Sequence, residues 1–392
     1  MAPSSGIDAI LRRAVDSGEV PGVVALAATE RGVLYQGAFG RSDIAAGPVM
    51  TDDTIFRIAS MTKAVTSVAA MQLVEQGELA LDEPIGRILP ELATPQVLVG
   101  FDAAGKPRLR PARRPITLRH LLTHTAGFGY EMLNSELTRY IHRTDTPSIS
   151  TGKLASLRLP LLFDPGERWQ YGINTDWVGR AVEAVSRKTL DVYYREHIFA
   201  PLGMTDTEFA LSPEQTSRLV SVHKRAADGS LEPITLDSPP AQPEFWAGGG
   251  GLYSTGRDYL TFLRMVLDHG RFGGVRLLRP ETVAAMASNQ TGDLEAGIMR
   301  TAMPERTNDF ALFPGMQCQW GLGWMITPQA GPNGRSAGSL TWGGIFNSYY
   351  WIDPVKRVAG VIMTQFLPFA DPRALALVGA FERAVYDALQ AD

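Results

Sequence analysis

Strand-forming sequence lies at both ends of this 392-residue chain, and helical and loop sequence lies between. Residues 23–28 and 33–40 read as two strands around the turn Thr29-Glu30-Arg31-Gly32. Residues 339–342, 348–352 and 358–363 read as three more near the other end. The middle, roughly 75–240, is helix- and loop-rich with several Pro breaks, and from 246 the chain turns to Gly-rich turns and short apolar runs. Such an order predicts one α/β domain built from both termini, with a mainly helical region inserted. Four helices stand out. Residues 6–18 place Ile7, Ile10, Leu11 and Val15 on one side, and Pro21-Gly22 ends the pattern. A second, capped helix starts near Thr117. The third spans 174–195, with Trp177, Val178, Ala181, Val182 and Val185 at helical spacing, and 371–389 close the chain as the fourth.

Composition narrows the class. A hydrophobic content of 45% with 20% charged residues is ordinary for a globular protein. A net charge of −4 and a pI near 5.9 argue against nucleic acid or an anionic membrane as the main partner. Lys106-Pro107-Arg108-Leu109-Arg110-Pro111-Ala112-Arg113-Arg114 is the one basic run, and it reads as a solvated Pro-rich loop. Cys318 is the single cysteine, so no internal disulfide forms and a reducing, cytoplasmic compartment is the natural expectation. The start, Met1-Ala2-Pro3-Ser4-Ser5-Gly6-Ile7-Asp8, has neither a basic n-region nor an apolar h-region, although a leader already removed would leave the same start. No run approaches 18 uninterrupted apolar residues, so no membrane span is expected.

Chemistry enters at Ser60-Met61-Thr62-Lys63, followed by the apolar run Ala64-Val65-Thr66-Ser67-Val68-Ala69-Ala70-Met71. That run reads as a buried helix with Ser60 in its first turn, where free N–H groups and the positive end of the helix dipole favour developing negative charge. Positions three apart share a helix face, so the Lys63 amine reaches the Ser60 oxygen. A serine beside an amine base is one way to build a nucleophile. A rival is Gly334-Arg335-Ser336-Ala337-Gly338, which fits the Gly-x-Ser-x-Gly nucleophile elbow. That elbow needs a strand before it, a helix after it and a histidine later in the chain. The six histidines are His120, His124, His142, His197, His223 and His269, and none follows Ser336. His120 and His124 are spaced as metal ligands can be, but the metalloprotease Glu and a third ligand are missing, so both read as structural.

Further segments then fall into line. Phe56-Arg57-Ile58-Ala59-Ser60-Met61-Thr62-Lys63 resembles the first motif of the serine β-lactamase and penicillin-binding-protein superfamily. Residues 116–127, Pro165-Gly166-Glu167-Arg168-Trp169-Gln170-Tyr171-Gly172, Pro201-Leu202-Gly203-Met204 and Gly249-Gly250-Gly251-Leu252-Tyr253-Ser254-Thr255 resemble segments of its class C β-lactamase-like branch. Trp342-Gly343-Gly344 stands where the lactamases carry Lys-Thr-Gly, and Ile173 stands where their Tyr-x-Asn motif carries Asn, with Asn174 one place later. These matches are ordered over roughly 20–365. With Trp-Gly-Gly and a stray Gly-x-Ser-x-Gly, the chain resembles a family VIII carboxylesterase.

The resemblance implies a serine β-lactamase-like α/β fold: an antiparallel sheet flanked by helices over residues 1–75 and 245–392, a mainly helical domain over 76–244, and an active site where they meet. It implies hydrolysis of short-chain carboxylic esters through an acyl-enzyme on Ser60, with Lys63 and Tyr171 as acid/base pair, either taking the first proton. It implies an oxyanion hole from the backbone N–H groups of Ser60 and Ile345, and a substrate lying against Trp342, Gly343 and Gly344. Tyr130, Trp246 and Phe346 are candidate apolar liners. No metal or cofactor is called for; the partner is a small ester. The alternatives on the same scaffold are a β-lactamase, a D-amino-acid peptidase or amidase, and an acyltransferase. Loss of the lactamase Asn and Lys tilts the acyl donor from lactam to ester.

Overall fold

A computed structural model of the chain describes residues 3–236, 240 and 242–391. Among these, seven strands form one sheet that draws on both ends of the sequence. Gly22–Thr29 lies between Gly32–Gly40 and Val358–Met363, and the sheet continues through Ser348–Asp353, Ser339–Gly344, Met325–Thr327 and Gln319–Trp320. Every pairing in it is antiparallel. The architecture is thus α/β with a central antiparallel sheet and flanking helices, as expected.

Pairing register explains why the central strands are buried along their whole length instead of alternating. Tyr35, Ala27, Gly360 and Trp351 are cross-strand neighbours on one face. Phe381, from the closing helix Pro372–Ala391, packs against both Tyr35 and Trp351 there. The alternate residues Leu26 and Val24 face the helix Gly256–Leu267, whose Tyr259 packs on Tyr350. Helices on both faces leave the central strands no solvated side, so they read as continuous apolar runs, whereas the edge strand Gly32–Gly40 stays partly exposed. No described helix is long and apolar enough to cross a membrane.

Three elements differ from the sequence reading. The helix expected over 174–195 is Asn174–Ser186 and then Leu190–Tyr194, broken where Arg187 takes the left-handed conformation at φ 56°. Ser60 lies in a short 3-10 turn, Ala59–Met61, and the α-helix begins at Thr62 and runs to Glu75. The basic run is not a loop alone: Pro107–Pro111 pairs with Gln96–Phe101 as a hairpin. Arg110 reaches from it to the buried Asp164 through two hydrogen bonds of 2.9 and 2.6 Å, and this guanidinium holds the Asp164 carboxyl well below the usual range. A carboxylate contributed far along the chain orders a stretch whose own composition favours a loop.

Candidate active site

Ala59 sets the position of Ser60. Its φ of 45° is a left-handed conformation unusual for a residue with a Cβ, and it turns the chain sharply into the Ala59–Met61 turn. Neighbouring groups hold that turn: the Tyr259 hydroxyl donates to the Met61 carbonyl (2.9 Å) and the Leu252 N–H donates to Thr62 Oγ1 (3.1 Å). The helix Thr62–Glu75 is buried from Thr62 to Leu73, because its apolar run carries almost no charge.

Lys63 is the exception on that helix and is 1% exposed. A buried amine must find hydrogen-bond partners, and Nζ has three oxygens around it. These are the Gly249 carbonyl at 2.6 Å, Tyr130 Oη at 3.0 Å and Ser60 Oγ at 3.3 Å. It also lies 4.7 Å from the centre of the Tyr171 ring and 5.2 Å from that of Tyr130. Three acceptors match the three donors of an ammonium group, and the two rings add cation–π attraction.

The two tyrosines therefore divide their contacts. Tyr130, half-buried just before the turn Glu131–Leu133, offers Lys63 its hydroxyl, and burial raises its pKa well above the ordinary phenol value. Tyr171 turns its ring toward Lys63, and its hydroxyl accepts a hydrogen bond of 2.9 Å from Trp342 Nε1. Tyr171 shares a cavity wall with Ser60, and Trp342 and Ile345 line the same cavity. Behind Tyr171 lies His124, 1% exposed, with ring centres 4.8 Å apart. Burial, with Lys63 nearby, pushes the His124 pKa well below its usual value, so the ring is neutral. Its Nδ1 is 3.0 Å from Asn174 Nδ2. Asn174 thus supports the layer behind Tyr171, and Ile173 belongs to the core.

The far wall is the strand Ser339–Gly344. Met325–Thr327 pairs with it only at 339–341, so Trp342, Gly343 and Gly344 present a free edge on that side. Packing demands both glycines. A Cβ on Gly343 would sit 2.7 Å from the Tyr349 ring, and one on Gly344 would sit 2.5 Å from the Ile58 carbonyl oxygen. The strand end is thereby pressed against the residues that precede Ser60.

Several residues singled out from the sequence lie elsewhere. Trp246 stacks on Phe209 at 5.3 Å, Phe346 packs with Ala59, Val222 and Leu367, and Tyr130 meets Lys63 through its hydroxyl; none of the three lines the cavity beside Ser60. Aromatic spacing alone does not separate a pocket wall from a core. Ser336 sits in the loop before Ser339–Gly344, its N–H bonded to Asp353 at 2.8 Å, with a strand instead of a helix after it. The two histidines part company: His120 Nδ1 accepts the Thr117 N–H at a helix start, and His124 faces Asn174. Among the described residues no group of His, Cys, Asp or Glu could hold a metal ion.

The sequence reading missed Met132, Leu133, Met299, Thr307 and Phe369, which complete the cavity. Met299 and Thr307 come from an irregular segment with no periodicity to flag it. Asp176 was also missed; it is 1% exposed and accepts the Gly249 N–H at 2.9 Å.

The beta-lactamase family model matches residues 7–383. The chain is 35% identical over 395 residues to the monacolin J acid methylbutanoyltransferase of Aspergillus terreus, covering 97% of this chain and 95% of that one. It is 32% identical over 368 residues to the lovastatin esterase of Penicillium rubens, covering 91% of each. The unliganded structure of simvastatin synthase (LovD) from Aspergillus terreus superposes with a TM-score of 0.85 at 33% identity over 100% of both chains. Fold, motif order and these likenesses agree, and the chain belongs to the beta-lactamase family.

Proposed function

We propose that this protein cleaves short-chain carboxylic esters through an acyl-enzyme on Ser60, and that within its family it is a carboxylesterase of the family VIII kind. The observation that carries this reading is the contact of Lys63 with both Ser60 and Tyr130, placed beside the free edge at Trp342–Gly344. With the Lys63, Tyr130 and Tyr171 cluster one proton short, as a neutral Lys63 amine or a phenolate, Ser60 Oγ attacks the ester carbonyl carbon and its proton fills that vacancy. The tetrahedral oxyanion rests on the backbone N–H groups of Ser60 and Ile345. The C–O bond to the alcohol then breaks, the cluster returns the proton to the leaving alkoxide, and the acyl group stays on Ser60. Water then adds to the acyl carbon and gives its proton to the same cluster, and the bond to Ser60 Oγ breaks as the cluster returns that proton to the serine oxygen and the acid leaves.

Trp342 supports an ester over a β-lactam. Its indole N–H is committed to Tyr171, and it offers no cation to a lactam carboxylate. A second reading, transfer of the acyl group to an alcohol, draws on the 35% identity to a methylbutanoyltransferase and on the cavity walls Met132, Leu133, Met299 and Phe369. Apolar walls favour an organic acceptor over water.

One assay series tests both. Wild type should release p-nitrophenol from short-chain p-nitrophenyl esters, Ser60→Ala should abolish release, and Ser336→Ala should keep most of it. Adding an alcohol acceptor and counting ester against acid product separates transfer from hydrolysis. Nitrocefin turnover that outpaces ester turnover contradicts the proposal.

A further inference from the structure

Asp176 is a buried carboxylate that no described cation touches. Burial pushes the Asp176 pKa above the usual carboxylate value, and the nearby Lys63 charge and the Gly249 N–H act against that push. Its Oδ1 accepts the Gly249 N–H at 2.9 Å, and the carbonyl of the same residue accepts from Lys63 Nζ at 2.6 Å. Gly249 thus links a carboxylate on one side to an amine on the other. The link is tight: a Cβ on Gly249 would lie 2.5 Å from Asp176 Oδ2. The neighbouring Gly248 carbonyl is held by Thr66 Oγ1 at 2.5 Å, and Tyr194 donates to Thr66 at 2.6 Å. Asp176 sits on the helix Asn174–Ser186, which packs against the Lys63 helix.

We propose that Asp176 is a positioning residue for Lys63: through Gly249 it fixes the amine between Ser60 and Tyr130, and its negative charge governs how firmly that cluster keeps its proton. The titratable groups facing this pair are Lys63 on its own helix, Tyr130 and Tyr171 around the amine, His124 behind Tyr171, and Tyr194 on the other side, with Glu183 beyond it. Burial and the Asp176 charge act on Tyr130 in the same direction, against ionisation. Removing the charge eases proton loss from Lys63 and Tyr130 alike, so the expected shift has one sign whichever group is the base. The inference rests on the acyl-enzyme reading above.

The test is the rate at which a fluorophosphonate probe labels Ser60, measured against pH. Asp176→Asn keeps an oxygen for the Gly249 N–H and removes the charge. Its acid limb should move to lower pH by roughly 1 unit relative to wild type, with melting temperature as the check on folding. Asp176→Ser also removes the charge with more room to spare, and should show the same shift if the amide variant does not fold. Thr66→Val, which frees the Gly248 carbonyl and leaves the charge, should lower the plateau rate without moving the limb. A limb that stays in place in a folded, uncharged variant overturns the proposal while the acyl-enzyme reading stands. Wild type that is not labelled at Ser60 overturns both.

Discussion

Tyr130 and Tyr171 divide between two phenols the contacts with the Ser60 and Lys63 pair and with the facing strand. Tyr130 Oη touches the Lys63 amine, and Tyr171 Oη is bonded to Trp342. The account therefore predicts that Tyr130→Phe and Tyr171→Phe each lower kcat/KM for a p-nitrophenyl ester by about 10²–10⁴. Trp342→Phe keeps the apolar wall and removes the N–H. It should weaken kcat/KM by a smaller factor and leave Tyr171→Phe unaffected when the two are combined; a double-mutant cycle in ester hydrolysis checks this. Additive losses would mean that the Trp342–Tyr171 hydrogen bond is not used. The spacing of Ser60 and Lys63 suggested that Lys63 reaches Ser60, and the ordered motifs behind the family resemblance singled the pair out, although Ser60 lies in the turn before the Lys63 helix. The roles of Tyr130, Gly249 and Asp176 were not legible, because they depend on long-range contacts that leave no local pattern.

The strand Ser339–Gly344 and the turn Ala59–Met61 form a matched pair. Gly344→Ala drives a Cβ into the Ile58 carbonyl, a main-chain atom with little room to move. Destabilisation of about 1–3 kcal/mol is expected in urea melts, together with loss of esterase activity as the strand end moves off Ser60. The buried layer behind Tyr171 carries a pH signature. His124 has a folded pKa depressed below the unfolded value near 6.5, so the unfolded chain binds the extra proton. This contribution to stability is full above that pH and is lost as pH falls below it, by up to about 1.4 kcal/mol per pH unit. Urea melts of wild type and His124→Gln between pH 7 and pH 5 should converge by this amount; parallel curves contradict it. Five of the seven sheet strands were readable, the central ones because burial on both faces leaves long apolar runs, and the short strands Gln319–Trp320 and Met325–Thr327 were not. The Pro107–Pro111 strand was hidden, because its order comes from Asp164 far along the chain.

Knitting both chain ends into one sheet makes the closing helix part of the active-site scaffold. Arg335, in the loop that resembled a nucleophile elbow, pairs with Glu382 of that helix through two hydrogen bonds of 2.5 and 2.9 Å, with both side chains almost fully buried. Glu382→Ala leaves an uncompensated buried guanidinium and should cost about 3–5 kcal/mol in urea melts. The Gly-x-Ser-x-Gly string is accounted for by this structural role: Arg335 anchors the helix, and Ser336 follows it in a turn. The fold class was legible because order along the chain dictates which segments must meet. The cavity was only half legible, because Met299, Thr307 and Phe369 reach it from irregular segments. The central claim is that acyl groups rest on Ser60. Intact-protein and peptide mass spectrometry of enzyme quenched during turnover of a p-nitrophenyl ester tests it most directly. The account predicts one added acyl mass on the peptide bearing Ser60, present in Ser336→Ala and absent in Ser60→Ala. An adduct on the peptide bearing Ser336, or ester turnover that survives in Ser60→Ala, would contradict it.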